Sequence, residues 1–412
     1  MHYQGIVGIF AFIAIAWLIS ENRGLFRLRV ILSGLLAQLV LAVILLKIPA
    51  SKEVFLLLNK MVLALETATT AGTSFVFGYL GGGTLPFDEK YPGSSFVLGL
   101  RALPLVLVVS ALTALLFYWR IIPYIVKAFS LLLEKTMAIG GALGLGASVN
   151  IFVGMIESPL FIRPYLKDIT RSELFAIMTC GMATIAGTVM VLYATILNTI
   201  IPDAMGHILT ASIISAPAAI IIAQLMVPET GTQTSGKLVP PQTANSSVDA
   251  ITRGTLDGIS LLINIIAMLI VLVALVTLAN LILAVFPDFG GQPVTLQRLL
   301  GYLMAPVVWL MGIPWSEATA AGSLMGTKTI LNEFIAYIEL SKLPEGTLSD
   351  HSRLIMTYAL CGFANFGSLG IMIGGLRSMV PERQDEIVAL GLKSIVSGTL
   401  ATCMTGAIVG IF

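Results

Sequence analysis

Stretches of about twenty apolar residues recur along almost the whole chain, and this feature limits its folds most. A helix crossing a bilayer needs about 20 such residues. Candidates are Gly5–Ser20, Val30–Leu46, Phe96–Trp119, Leu174–Ile201, Ile208–Val227, Ile259–Phe286, Ser352–Leu376 and Ile387–Phe412. Only 11% of the 412 residues are charged and 57% are hydrophobic, against roughly 25% charged in soluble domains. Mean hydropathy is +0.96. A soluble globule could not hide that much apolar surface. The chain is therefore expected to be an all-α polytopic membrane protein with about eight transmembrane helices. A net charge of +1 with no basic cluster excludes nucleic acid as a partner. Cys180, Cys361 and Cys403 all lie in apolar segments and suggest neither a disulfide framework nor a zinc site.

Met1-His2-Tyr3-Gln4 carries no basic residue, so the first apolar segment reads as a retained helix rather than a cleaved signal. Arg23, Arg27 and Arg29 follow it, which places the N-terminus outside by the positive-inside rule. Arg120 and Lys127 follow the third span and agree. Less regular apolar segments, about Val54–Leu80, Ile121–Leu133, Met137–Leu166 and Leu299–Tyr337, contain Gly, Pro and isolated charges. They cannot all be simple lipid-facing helices. The stretch Pro228 to Arg253 is polar and reads as a flexible linker dividing the chain in two.

The two parts carry a weak repeat. Cys180-Gly-Met-Ala-Thr-Ile-Ala-Gly187 is matched 181 residues on by Cys361-Gly-Phe-Ala-Asn-Phe-Gly-Ser368. Glu157 lies 23 residues before the first copy and Glu333 lies 28 before the second. A broken apolar segment, an acid and a Gly-rich helix, used twice, is the pattern of transporters built from structural repeats. Met137–Leu166 has polar flanks at both ends and is expected to form a re-entrant hairpin. Its counterpart is expected at about Leu299–Ser323, broken at Gly312–Ser316. Such backbone needs protein or a water-filled cavity around it.

An ionisable side chain inside a membrane is costly and marks a functional position. Glu157 and Glu333 are the two such acids; the plain alternatives are a helix-end acid near the interface, or a partner for Lys328 or Arg163. Glu317 follows a Pro-containing break and is read mainly as a helix N-terminal acid. Carboxylates accept from hydroxyls, and Asn365 and Ser368 add donors and acceptors nearby, which suits a neutral polyhydroxy solute. Asn150 and Thr184 are hard oxygen donors near breaks, where carbonyls such as those of Val153 and Ile185 could complete a small cation site. Other signals fail. Gly231–Lys237 resembles a phosphate loop, but Leu238 stands where Ser or Thr is required. His2, His207 and His351 have no metal spacing. No His-Glu-x-x-His or Gly-x-Ser-x-Gly occurs, so no enzyme is expected.

Gly326-x-Lys328-x-x-x-Asn332-Glu333-Phe334-Ile335-Ala336-Tyr337, Asn150-Ile-Phe-Val-Gly154, Arg163-Pro164, Ser172-Glu-Leu-Phe175 and Cys361-Gly-Phe-Ala-Asn365 together resemble the concentrative nucleoside transporters over essentially the full length. The resemblance implies a homotrimer of multi-pass protomers, here in a bacterial cytoplasmic membrane, each with a scaffold and a mobile transport domain built from inverted, hairpin-containing repeats, plus interfacial helices. The corresponding division is scaffold 1–134, first hairpin repeat 135–228, linker 229–255, a long scaffold helix 256–296, second hairpin repeat 297–380 and a C-terminal helix 381–412. The resemblance implies that Glu157 and the hairpin tip address the base, with Val189 nearby. Glu333, Asn365 and Ser368 would hold the ribose, and Phe363 would line the pocket. Sodium would be held by Asn150, Val153, Thr184 and Ile185, the Val and Ile through carbonyls. Thr184 replaces a serine but keeps its hydroxyl.

The chain departs from the family pattern at the tip. Relatives carry Gly-Gln-Thr-Glu or Gly-Gln-Ser-Glu; this chain has Gly154-Met155-Ile156-Glu157. Two polar base contacts become apolar, which favours the larger purine base. The expected function is therefore sodium-coupled import of purine nucleosides. Proton coupling and a passive nucleoside channel are the alternatives.

Overall fold

The computed structural model describes residues 2–89, 95–155, 157–236, 244–288, 291 and 293–412, and no strand occurs among them. The chain opens with α1 (His2–Leu18), α2 (Leu28–Lys47), α3 (Pro49–Phe77), the single turn α4 (Leu98–Arg101) and α5 (Leu105–Tyr118). Helix α2 shows how little of these helices is needed for packing. Its buried residues are Val30, Gly34, Gln38 and Ala42, one per turn, while Leu32, Leu36, Val40, Val43 and Ile44 are apolar and exposed. A Cβ on Gly34 would lie 2.6 Å from the Ile221 side chain. Gln38 Nε2 donates to the carbonyl of Ile214 at 2.9 Å, so this buried amide is anchored.

Two runs of six helices follow in the same order. The first is α6 (Ile121–Met137), α7 (Gly141–Asn150), α8 (Glu157–Phe161), α9 (Arg171–Ala183), α10 (Gly187–Leu197) and α11 (Ala204–Met226). After the long α12 (Ser247–Leu283) come α13 (Leu296–Leu310), α14 (Trp315–Ile330), α15 (Glu333–Lys342), α16 (Asp350–Leu360), α17 (Phe366–Met379) and α18 (Gln384–Val409). Each run holds a leading helix, a hairpin pair, a broken pair and a long closing helix. Their packing repeats too. Helix α9 packs on α11 as α16 packs on α18, and each broken helix also packs on the other run's closing helix. Among the described residues, seven helices are long and apolar enough to cross a membrane, or eight if the bent pair α13–α14 is one span. That matches the expected number.

The expected break at Gly312–Ser316 is present and bends α13 against α14 by 116°. A further break at Leu331–Asn332 then separates α14 from α15, and Glu333 begins the helix beyond it. By position in its run, α14–α15 is the counterpart of α7–α8. The cysteine repeat also changes register. Helix α9 continues through Cys180 to Ala183, whereas α16 stops at Leu360, so the residues closing the two helices are Thr184 and Cys361. On that register Glu157 precedes its break by 27 residues and Glu333 by 28.

The polar stretch begins as packed structure. The Glu173 carboxylate accepts from the Thr234 amide at 2.9 Å and from its hydroxyl at 2.8 Å. Thr170 Oγ1 donates to Glu229 at 2.6 Å, and Gln233 Nε2 donates to the Ala138 carbonyl at 3.0 Å. Gly236, part of the phosphate-loop look-alike, lies where a Cβ would sit 2.5 Å from Ala142 N, so close backbone packing explains that glycine. At the start of α9, Arg171 pairs with Glu21 at 2.9 Å and with Glu386 at 3.4 Å, and Lys393 reaches Glu21 at 2.6 Å. The Arg171 guanidinium, helped by Lys393, holds the Glu21 carboxyl down at about 2 against partial burial.

Candidate functional site

Both hairpin tips and both helix breaks meet at one place. The carbonyl of Phe152, just past α7, accepts from the Gly187 amide at 3.1 Å, and a Cβ on Gly187 would lie 2.4 Å from that oxygen. The first tip is thereby tied to the start of α10. The Phe363 amide donates to the Thr184 carbonyl at 3.3 Å, joining the break of one run to the break of the other. Gly362 is required at this crossing, since a Cβ there would sit 2.8 Å from Met182 O.

A cavity of about 160 Å³ opens beside the crossing, far more than the roughly 10–15 Å³ one water needs. Glu157 and Glu333 both line it, as do Met155, Val189, Phe363, Asn365 and Ser368. Ile156 lies outside the described residues. Glu157 opens α8, and a Cβ on Gly154 would lie 2.6 Å from its Oε2, so glycine leaves room for the carboxylate.

Glu333 is only 4% exposed and is the first residue of α15, where the helix N-terminus favours an anion. Asn332 caps that helix, its Oδ1 accepting from the Ile335 amide at 2.9 Å. Tyr193 donates to Glu333 Oε1 at 2.6 Å, and Asn365 Nδ2 donates to Oε2 at 3.0 Å. Asn365 also caps α17, its Oδ1 accepting from the Ser368 amide at 2.7 Å. One carboxamide thus fixes a helix end and a carboxylate together. Glu333 forms no ion pair with Lys328, the plain alternative, among the described residues. Lys328 is fully buried and donates to Ala359 O at 2.8 Å and Thr402 Oγ1 at 2.9 Å. Glu317 accepts from the amide and hydroxyl of Ser349 at 3.1 and 3.2 Å, away from the cavity lining.

Beside the first break, Asn150 Nδ2 donates to Thr184 Oγ1 at 2.9 Å. Asn150 Oδ1 is buried with no hydrogen-bond partner among the described residues. Among the described residues, the carbonyls of Val153 and Ile185 accept no backbone hydrogen bond outside the regular helices. A buried amide oxygen left unpaired costs free energy. One hydroxyl, one unpaired amide oxygen and two open carbonyls form a hard, neutral oxygen set that fits a small cation.

Tyr193, Thr188 and Asn264 also line the cavity, and sequence reading missed all three. Tyr193 stands four residues after Val189, one helical turn along the same face, which was signal enough.

Taken together, paired runs of broken helices around a largely apolar cavity that holds two carboxylates define a membrane carrier built from repeats. Comparison with known proteins specifies the family. A model described as Na+ dependent nucleoside transporter C-terminus matches residues 207–410, its N-terminal companion matches 7–80, and a nucleoside recognition model, Gate, matches 99–200. The chain is 38% identical over 413 residues to the uncharacterized transporter YutK of Bacillus subtilis, covering 99% of this chain and 98% of that one. It is 34% identical over 412 residues to the nucleoside permease NupC of Helicobacter pylori, covering 99% and 97%. It also matches human solute carrier family 28 member 3 at 35% identity over 98% of this chain, spanning 59% of that longer protein. The structure of CNTnw in an inward-facing substrate-bound state superposes with a TM-score of 0.90 at 35% identity, covering 99% and 98%. The chain belongs to the Na+-dependent, concentrative nucleoside transporters, a family of carriers rather than enzymes.

Proposed function

We propose that this chain imports nucleosides, purine nucleosides by preference, and that sodium rather than a proton drives it. One observation carries the reading. Glu333, held by Tyr193 and Asn365, faces the same cavity as the apolar tip residue Met155 and Val189. A charged acceptor beside Asn365 and Ser368 suits the vicinal hydroxyls of ribose. Met155 and Val189 offer shape and dispersion rather than hydrogen bonds, which rewards the larger base. Glu157 supplies the remaining polar group at that end.

Sodium would be held by Asn150 and Thr184 side chains with the carbonyls of Val153 and Ile185, whose oxygen dipoles would replace part of its hydration shell. These groups sit on the first tip and the adjoining break, so a bound cation fixes the tip that carries Met155 and Glu157. Nucleoside then meets a preformed site, and each ligand tightens the other. In this reading the moving part comprises 135–228 and 297–380, carried against a scaffold of 1–134 and 256–296 in a homotrimer of the bacterial cytoplasmic membrane, with 229–255 linking the halves and 381–412 closing the second. The outward apolar faces of α2 and α12 support lipid or neighbouring protomers as their surroundings.

Competition uptake tests the substrate reading. Adenosine, inosine and guanosine should each suppress labelled adenosine uptake more strongly than uridine or cytidine. Stronger competition by the pyrimidines overturns the purine preference.

A further inference from the structure

Helix α12 forms the cavity wall facing the two repeats. Between Leu261 and Val276 its only polar side chain is Asn264. The cavity-facing residues Leu261, Asn264, Ile265, Met268, Leu269 and Leu272 follow the i, i+3, i+4, i+7 spacing of a single helix face. Asn264 is eighteenth of the 37 residues of a helix about 55 Å long, far from either end. A carboxamide there is expensive to leave against hydrocarbon. It has no hydrogen-bond partner among the described residues, whereas the amides of Gln38, Asn150 and Asn365 each donate to a named oxygen. Met268, one turn along the same face, lies where a Cβ on Gly367 would meet its methyl at 3.2 Å, so this face closes directly over the start of α17.

We propose that Asn264 is a specificity-determining residue that hydrogen-bonds the base of the bound nucleoside from the α12 wall. This rests on the nucleoside reading of the cavity. The ribose hydroxyls already have Glu333, Asn365 and Ser368 on the opposite wall, whereas Met155 and Val189 offer the base edge no hydrogen bond. A primary carboxamide supplies a donor and an acceptor side by side, and that pattern matches the 6-amino group and N7 of adenine. Asn264 thus adds, from the facing wall, a donor and acceptor to the one polar group, Glu157, that the hairpin tip keeps.

A cycle between protein and ligand variants tests this. Binding of adenosine, 7-deazaadenosine, purine riboside (no 6-amino group) and 3′-deoxyadenosine is measured by competition in proteoliposomes carrying the full-length protein, Asn264→Leu or Asn264→Gln. Wild type should bind 7-deazaadenosine and purine riboside each roughly ten-fold more weakly than adenosine, the range of one lost hydrogen bond. Asn264→Leu should erase that discrimination while keeping the penalty for 3′-deoxyadenosine, and Asn264→Gln should retain part of it. Leucine suits an apolar spanning helix, and the retained 3′-deoxy penalty reports a folded site. Discrimination among the base analogues that is absent in wild type, or unchanged in Asn264→Leu, overturns the assignment to the base. Loss of the 3′-deoxy penalty alone moves Asn264 to the ribose and also overturns it. A wild-type protein that binds no nucleoside defeats the underlying reading as well, and the wild-type arm by itself separates that case.

Discussion

Tyr193 of the first repeat donates a 2.6 Å hydrogen bond to Glu333 of the second. The carboxylate best placed to take substrate hydroxyls is therefore aimed by the other half of the molecule. Tyr193 is itself wedged against Phe334 and Tyr337, with ring centroids 5.9 and 5.2 Å away, so its hydroxyl has little freedom. Tyr193→Phe keeps the ring and removes the donor. It should weaken nucleoside binding by about 1.5–3 kcal/mol, the range for hydrogen bonds to charged groups, with little change in melting temperature. Calorimetric or competition binding with a thermal-shift control checks this; unchanged affinity would show that Glu333 needs no such aid.

Asn150→Ala removes the unpaired Oδ1 and one donor to Thr184. The sodium concentration for half-maximal uptake should rise, with a smaller change in nucleoside affinity at saturating sodium. Thr184→Val should act in the same direction. A sodium dependence identical to wild type in both variants would favour proton coupling.

Much of this site was legible in the sequence, and for a physical reason. Glu157, Asn150 and Asn332-Glu333 are polar residues in apolar surroundings, where the membrane tolerates them only for a purpose. Both acids do share one cavity. What escaped notice was of another kind. Tyr193 reads as one more aromatic in a spanning helix, because its role depends on a residue 140 positions away. Pro314 marked a break, but the break at Leu331–Asn332 contains no Gly or Pro; its signal was Asn332 as a cap directly before an acid. The repeat was misregistered by four residues because similar letters, Cys-Gly, fall inside one helix and at the end of the other.

Lys328 offers a test of packing rather than binding. Its ammonium group satisfies the Ala359 carbonyl near the end of α16 and the Thr402 hydroxyl of α18. Lys328→Met matches its length but leaves both oxygens without that donor. Stability should fall by about 1–3 kcal/mol, seen as a lower melting temperature in detergent. A melting temperature at or above that of wild type would mean that desolvating the ammonium outweighs its bonds.

The Glu21 cluster predicts a pH dependence of stability. Its folded carboxyl titrates near 2, below the usual carboxylate range, so its contribution is full above the unfolded value and fades as pH falls through that value towards 2. Glu21→Gln should therefore lower the melting temperature at pH 7, and the gap to wild type should narrow steadily below about pH 4.3. A gap that widens on acidification would contradict the ion pairing to Arg171 and Lys393.

Uptake of labelled adenosine into proteoliposomes under an imposed inward sodium gradient, for wild type and Glu333→Ala side by side, tests the central claim most directly. The account predicts accumulation above equilibrium that collapses when the gradient is dissipated, and none in a folded Glu333→Ala protein. Accumulation that persists in Glu333→Ala, or that ignores the sodium gradient, would contradict it.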